Sequence, residues 1–146
     1  MPGLDLVAVQ DEILAHIQTT FPNYEIKEDE VLDDEYLVNL NGNVKPFLVV
    51  RWHGLNRSVN NNSFAGVRWD EYNSAVDIIA IAPSPRIARR VLAHVMDGII
   101  GWVVPGGGQL IPSGGASVSA IMDPQARPHL YLAVNTLTFQ VDSNAI

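Results

Sequence analysis

The run Val76–Ile100, VDIIAIAPSPRIARRVLAHVMDGII, constrains the fold more than any other stretch of the chain. An apolar strand passes through Ala82 into a helix whose start is marked twice. Ser84 is a natural N-cap, and Pro85 falls at the first helical position, where its missing N–H is no loss. Ile87, Ala88, Val91, Leu92, Val95, Met96 and Ile99 form the apolar stripe of that helix, with Arg86, Arg89, Arg90, Ala93 and Asp97 opposite. Strand–helix junctions often carry the nucleophile or phosphate loop of an α/β enzyme. This one holds packing residues and three arginines, which argues for a protein that acts by assembling with others.

The remaining elements follow from local pattern. Leu6, Val9, Ile13, Leu14, Ile17 and Phe21 recur at helical spacing and predict a helix over Leu4 to Thr20, with His16 off the stripe and Pro22 as the stop. Tyr24–Lys27 reads as a short strand, Glu28–Glu35 as an acidic turn and Tyr36–Leu40 as a strand. Asn41-Gly42 is a hairpin signal, because both positions of a type I′ turn need positive φ. Pro46–His53 is apolar on both faces, as in a strand covered on two sides. Gly54–Tyr72, rich in asparagine, is expected to be a long functional loop, and Asn73–Ala82 a central strand. Gly101–Gly115 reads as a second long loop and Ala116–Met122 as a short strand. In the last strand, His129–Val141, the apolar phase changes from even to odd positions, which predicts a bulge near Asn135-Thr136. The order α-β-β-β-β-α-β-β describes a single α+β domain over residues 1–146, a mostly antiparallel sheet with two helices packed on one face as a sandwich.

Composition excludes several classes. At 146 residues the chain has the size of one ordinary domain, and it has no cysteine to build disulfides or thiolate metal sites. No long apolar run or basic leader marks a membrane span or a secretory signal, so the expectation is a protein made in a cytoplasm. The net charge is −7, and residues 1–35 hold ten acids against one base. That balance opposes a dedicated nucleic-acid binder. A chain with unlike ends suits stacking against copies of itself, although acidic surface also serves solubility alone.

Catalytic signals are missing. The four histidines, His16, His53, His94 and His129, lack metal-ligand spacing, and no Gly-x-Ser-x-Gly elbow occurs. The loop Pro105-Gly106-Gly107-Gly108 follows a helix and carries no lysine, unlike a phosphate loop; it reads as a flexible loop or as a mobile arm that orders against a partner. Arg86, Arg89 and Arg90 crowd the first turns of their helix, where positive charge opposes the dipole by about 0.3–1 kcal/mol per exposed group. Their ordinary reading is solvated side chains; the functional one is that they face acids such as Glu28, Asp29, Glu30, Asp33, Asp34 and Glu35 of a neighbouring copy. Trp52, Trp69 and Trp102 adjoin the long loops as core edges or as interface anchors.

The order of features resembles the tail terminator proteins of long-tailed (siphovirus-type) bacteriophages. It comprises an N-terminal amphipathic helix, a strand pair, FLVVRWHG, the segment FAGVRWDEYNSAVDIIAIAPSPRIARRVLAHVMDGIIG, a Gly/Pro loop and the closing PHLYLAVNTLTFQVD. The resemblance implies a virion structural protein, made in the bacterial cytoplasm and placed at the tail–neck junction. There a ring of six copies would dock on the tail tube protein, stop its polymerisation and offer its other face to a head-proximal neck or stopper protein. It implies no catalysis, no cofactor or metal, no sequence-specific nucleic-acid contact and no membrane. The implied interface residues are the acids above, Trp52, His53, Asn60, Asn61, Asn62, Arg68, Trp69, the three arginines, Gly106, Gly107 and Gly108. Two alternatives stay open: another connector component, such as a stopper or tail-completion protein, or a lone ligand-binding or enzymatic α+β domain with a pocket lined by His53, Arg68 and Asp70.

Overall fold

The computed structural model describes residues 6–29, 45–64, 67–105, 107–112, 120–121 and 130–141, with 56–72 and 120–121 described in backbone only. The elements are α1 (Leu6–Thr20), β1 (Ile26–Glu28), β2 (Phe47–Trp52), β3 (Asn56–Phe64), β4 (Val67–Ala82), α2 (Pro85–Ile99), β5 (Ile111–Pro112), β6 (Ala120–Ile121) and β7 (Tyr131–Val141). The strands form one sheet in the order β1-β2-β4-β7-β5, with β3 on β4 and β6 on β7. β1 runs parallel to β2, and every other pairing among the described residues is antiparallel. The protein is an α+β fold, a mostly antiparallel sheet with both helices on one face, as the sequence predicts.

Period 2 explains the layering. Leu48 and Val50 of β2, Val76, Ile78, Ala80 and Ala82 of β4, and Ala133, Leu137 and Phe139 of β7 point to the helical side. There they pack with Val9, Ile13, Ile17 and Phe21 of the α1 segment and Ala88, Leu92, Val95 and Ile99 of α2. Each large side chain fully buried there contributes roughly 1.5–3 kcal/mol. The intervening residues Phe47, Val49, Ile79, Ile81 and Leu130 form a second buried cluster on the opposite face, flanked by Leu132 and Val134.

That second cluster accounts for the phase change in β7. The expected bulge at Asn135-Thr136 is absent: β7 pairs with β4 without a shift from Tyr72↔Val141 to Ala82↔Tyr131. Even positions fill one face at the start of the strand and odd positions fill the other along it, so no residue needs to be inserted. The expected strand Tyr24–Lys27 is displaced to Ile26–Glu28, so Glu28 closes a strand, and Asp29 follows in the left-handed region at φ 52. The expected strand Tyr36–Leu40 and its Asn41-Gly42 turn lie outside the described residues, as do most of 116–122.

The largest correction concerns Gly54–Tyr72. Instead of a loop, β3 and β4 form a hairpin from Asn56↔Asn73 to Phe64↔Val67, with a register shift between Asn60 and Phe64. β4 therefore runs for 16 residues instead of starting at Asn73. Asparagine is a poor strand former in isolation, and cross-strand pairing overrides that preference.

Helix α2 starts as expected. Ser84 is extended, and its hydroxyl accepts from the Ile87 amide at a long 3.5 Å. Ile87 itself is 36% exposed and is not part of the buried stripe; it lies about 100° round the helix from Ala88. The helix ends at Ile99 with Ile100 as its C-cap, and Gly101 follows with a φ of 85 that suits glycine. His16 is likewise not clear of the α1 stripe. It sits about 60° from Ile13, on the flank, and stacks on Trp102 with ring centres 3.9 Å apart and planes 3° from parallel. Burial pushes the His16 imidazole below its ordinary 6.5.

The described part of the 101–115 segment is a packed hairpin, neither a slack loop nor an arm. Val103 bridges Gln109, Leu110 N–H donates to Trp102 O, and Val104 and Leu110 are buried. Gly108 N–H donates to Gln140 O at 2.9 Å. Gly107 lies so close to β7 that an added Cβ would stand 2.3 Å from Gln140 O. Gly107→Ala is expected to lower the unfolding free energy by about 1–3 kcal/mol through forced backbone displacement. Gly54→Ala, where a Cβ meets nothing within 4 Å, is expected to change it by less than about 1 kcal/mol. Urea denaturation of the two variants checks both.

Candidate functional site

The second face of the sheet changes character from one end to the other. Read across β2, β4 and β7, its rungs are Phe47–Ile81–Leu132, then Val49–Ile79–Val134, then Arg51–Asp77–Thr136. Continuing the register, His53 N–H donates to Ala75 O at 3.0 Å, and Ala75 pairs with Thr138. Two apolar rungs thus give way to a charged rung and then to a polar one beside the root of the β3–β4 hairpin.

Asp77 is the centre of this end. Its side chain is 8% exposed, so its charge must be matched by donors. Thr136 Oγ1 donates to Oδ1 at 2.6 Å, and His53 Nε2 lies 2.9 Å from the same oxygen. Arg51 donates through Nε at 3.2 Å to Oδ2, with Nη2 3.1 Å away. Burial pushes the Asp77 carboxyl up, but the Thr136 hydroxyl, the His53 ring by hydrogen bond and charge, and Arg51 outweigh it. They hold the group below its ordinary 3.8. Neighbouring bonds fasten the hairpin root: Ser74 Oγ lies 3.1 Å from both His53 O and Gly54 O, within reach of donating to either.

A cleft of about 380 Å³ opens beside this cluster, with His53, Leu55, Asn73, Ala75 and Thr138 among its lining. Its cause is the alanine. Ala75 is the central residue of its rung and the smallest side chain there, so the face dips between His53 and Thr138.

The sequence-predicted site residues are only partly drawn together. His53 belongs to the Asp77 cluster. Asp29 sits nearby, its Oδ1 accepting the Trp52 N–H at 3.0 Å, and Glu28 is exposed beside it. Trp52 packs half-buried on the helical side, its Nε1 buried without a hydrogen bond. Asn60, Asn61 and Asn62 lie on β3, and Arg68, Trp69 and Asp70 on β4, with side chains outside the description. Arg86, Arg89 and Arg90 are exposed on α2, on the other side of the sheet from the cluster. Gly107 and Gly108 are pinned against Gln140. Gly106, Glu30, Asp33, Asp34 and Glu35 lie outside the described residues. No group of three metal-ligating side chains occurs among the described residues, and no described helix is long and apolar enough to cross a membrane.

Sequence reasoning missed Arg51, Asp77 and Thr136. A signal was available: an aspartate inside Val76-Asp-Ile-Ile and an arginine closing Phe47-Leu-Val-Val are charges in strands otherwise buried on both faces. Such charges require partners. No family model matches the chain, and no curated protein matches its sequence.

The depressed Asp77 value sets a pH dependence. The folded carboxyl holds its proton less tightly than the unfolded one, so its contribution is complete above 3.8 and is lost as pH falls through the lower folded value. Asp77→Asn is expected to remove that part of the acid limb and to lower stability at neutral pH by about 1–3 kcal/mol through lost charge-assisted bonds. Denaturation midpoints across pH 2–7 for both proteins check this.

Proposed function

We propose that this chain is a ring-forming virion structural protein of the tail-terminator kind it resembles. Copies would assemble, six to a ring, on the end of a bacteriophage tail tube, stop its growth and present the other face to a head-proximal neck protein. The observation that carries the reading is the β3–β4 ribbon. Among the described residues, 67–71 of β4 pair with β3 alone, beyond the reach of β2 and β7. Two-stranded ribbons are marginal in water by themselves, and their unpaired edges favour association. The ribbon occupies the 54–72 segment that the resemblance directs towards neighbouring subunits. The exposed arginines of α2 add a surface whose charge is opposite to that of the acidic N-terminal third.

The Asp77 cluster favours a second reading, a lone binding or catalytic domain. A carboxylate orienting an imidazole at the edge of a cleft is how general bases are commonly held. Native mass separates the two readings, because a chain that stays monomeric with and without tube protein excludes the ring. Addition to polymerising tube protein separates a terminator from a stopper, since only the former caps tubes directly.

Two outcomes are expected. Replacing residues 58–71 by Asn-Gly, so that Arg57 and Tyr72 flank a two-residue turn, should leave the thermal midpoint within a few degrees and abolish rings seen by electron microscopy. Arg86→Glu with Arg90→Glu should weaken assembly at low salt; unchanged sedimentation there would remove α2 from the interface.

A further inference from the structure

We infer that the cleft at the hairpin root is a carboxylate-binding site, and that its occupant is Asp11 or Glu12 on α1 of a second copy of this chain. The contact rests on the assembly reading above and gives it a specific joint.

The chemistry of the cleft asks for an acceptor. Asp77 has none to offer, since both of its oxygens are already engaged, Oδ1 by Thr136 and His53 and Oδ2 by Arg51. A carboxylate has about four lone-pair sites in all. Donors remain: Arg51, two residues before His53 on the same face and beside the cleft, keeps Nη1 out of those contacts, and Asn73 brings a half-buried amide to the rim. The side chain of Arg51 is 59% exposed, so an incoming oxygen can reach it. Leu55, 40% exposed, forms an apolar wall against which the methylene stem of an acidic residue can lie.

The source of the carboxylate follows from charge and layering. Acids crowd the N-terminal third of the chain. Asp11 and Glu12 are exposed on α1 and form no ion pair among the described residues. Helix α1 packs on the helical side of the sheet, whereas the cleft opens on the other side. The sheet stands between them, so these acids meet the cleft only in another copy. A contact between unlike surfaces is heterologous, and such contacts form a ring when their rotation closes.

The absence of cysteine makes the test clean. Leu55→Cys is combined with Asp11→Cys or with Glu12→Cys, and each pair is oxidised under assembly conditions. At least one pair is expected to give a ladder of covalent oligomers extending beyond dimer, which the single-cysteine variants do not give. Ala75→Leu, which fills the floor of the cleft, is expected to raise the protein concentration needed for rings at least tenfold, with far-ultraviolet circular dichroism and thermal midpoint confirming that it folds. Wild-type rings with no ladder from either pair, and with Ala75→Leu assembling at the wild-type concentration, would overturn this contact while leaving the assembly reading intact. A wild-type chain that is monomeric under all conditions sinks the assembly reading and this contact with it.

Discussion

Asp77 stands on the central strand with its side chain almost wholly out of water, where an unpaired charge would cost several kcal/mol. Its donors come from both neighbouring strands, Arg51 and His53 from the β2 side and Thr136 from β7. That requirement ties three strands into one register. A slip of a single residue would turn Asp77 into the core between sheet and helices and bring Ile78 out to the polar end. The rungs on either side inherit their alignment from this pairing, as does the depression over Ala75. So does the direction in which the β3–β4 ribbon leaves the sheet, since its root is bonded through Ser74 to His53 and Gly54.

What was legible in the sequence was what is written locally. The Ser84-Pro85 start of α2, the stripes of both helices and the doubly apolar β2 are set by neighbours within a few residues. Together they give the α+β layering. The ribbon was not legible, because Asn56–Phe64 carries no apolar alternation and its strand character comes from pairing with a segment across a turn. The phase change in β7 was visible but misread: a strand buried on both faces need not keep one parity, and the second cluster, centred on Ile79 and Ile81, explains it without a bulge. In the Gly107 segment, glycine suggested slackness where it permits close approach to Gln140.

The candidate site was half legible for a related reason. His53 stood out because it adjoins the ribbon, whereas its partners are 24 residues away on β4 and farther still on β7. No spacing rule links them before the sheet is built. The charges themselves were the clue, since Arg51 and Asp77 each interrupt an apolar strand, and two opposite charges in buried strands of one sheet are best satisfied by each other.

The sheet also separates two surfaces of different character. Among the described residues its helical side is covered by α1, α2, Trp102, Val104 and Leu110, with Trp102 stacked on His16. Its second side is apolar and buried at one end, polar and open at the ribbon root. Acidic α1 and the polar cleft are therefore unlike surfaces on opposite sides of a rigid layer, and one copy cannot bring its own pair together. When unlike surfaces join, the number of copies in a closed ring follows from the angle between them. Under the proposed contact that angle would be set by how α1 crosses the sheet and by the strand register that Asp77 pins, so the size of such an assembly would depend on a single buried carboxylate as well as on the surfaces that touch.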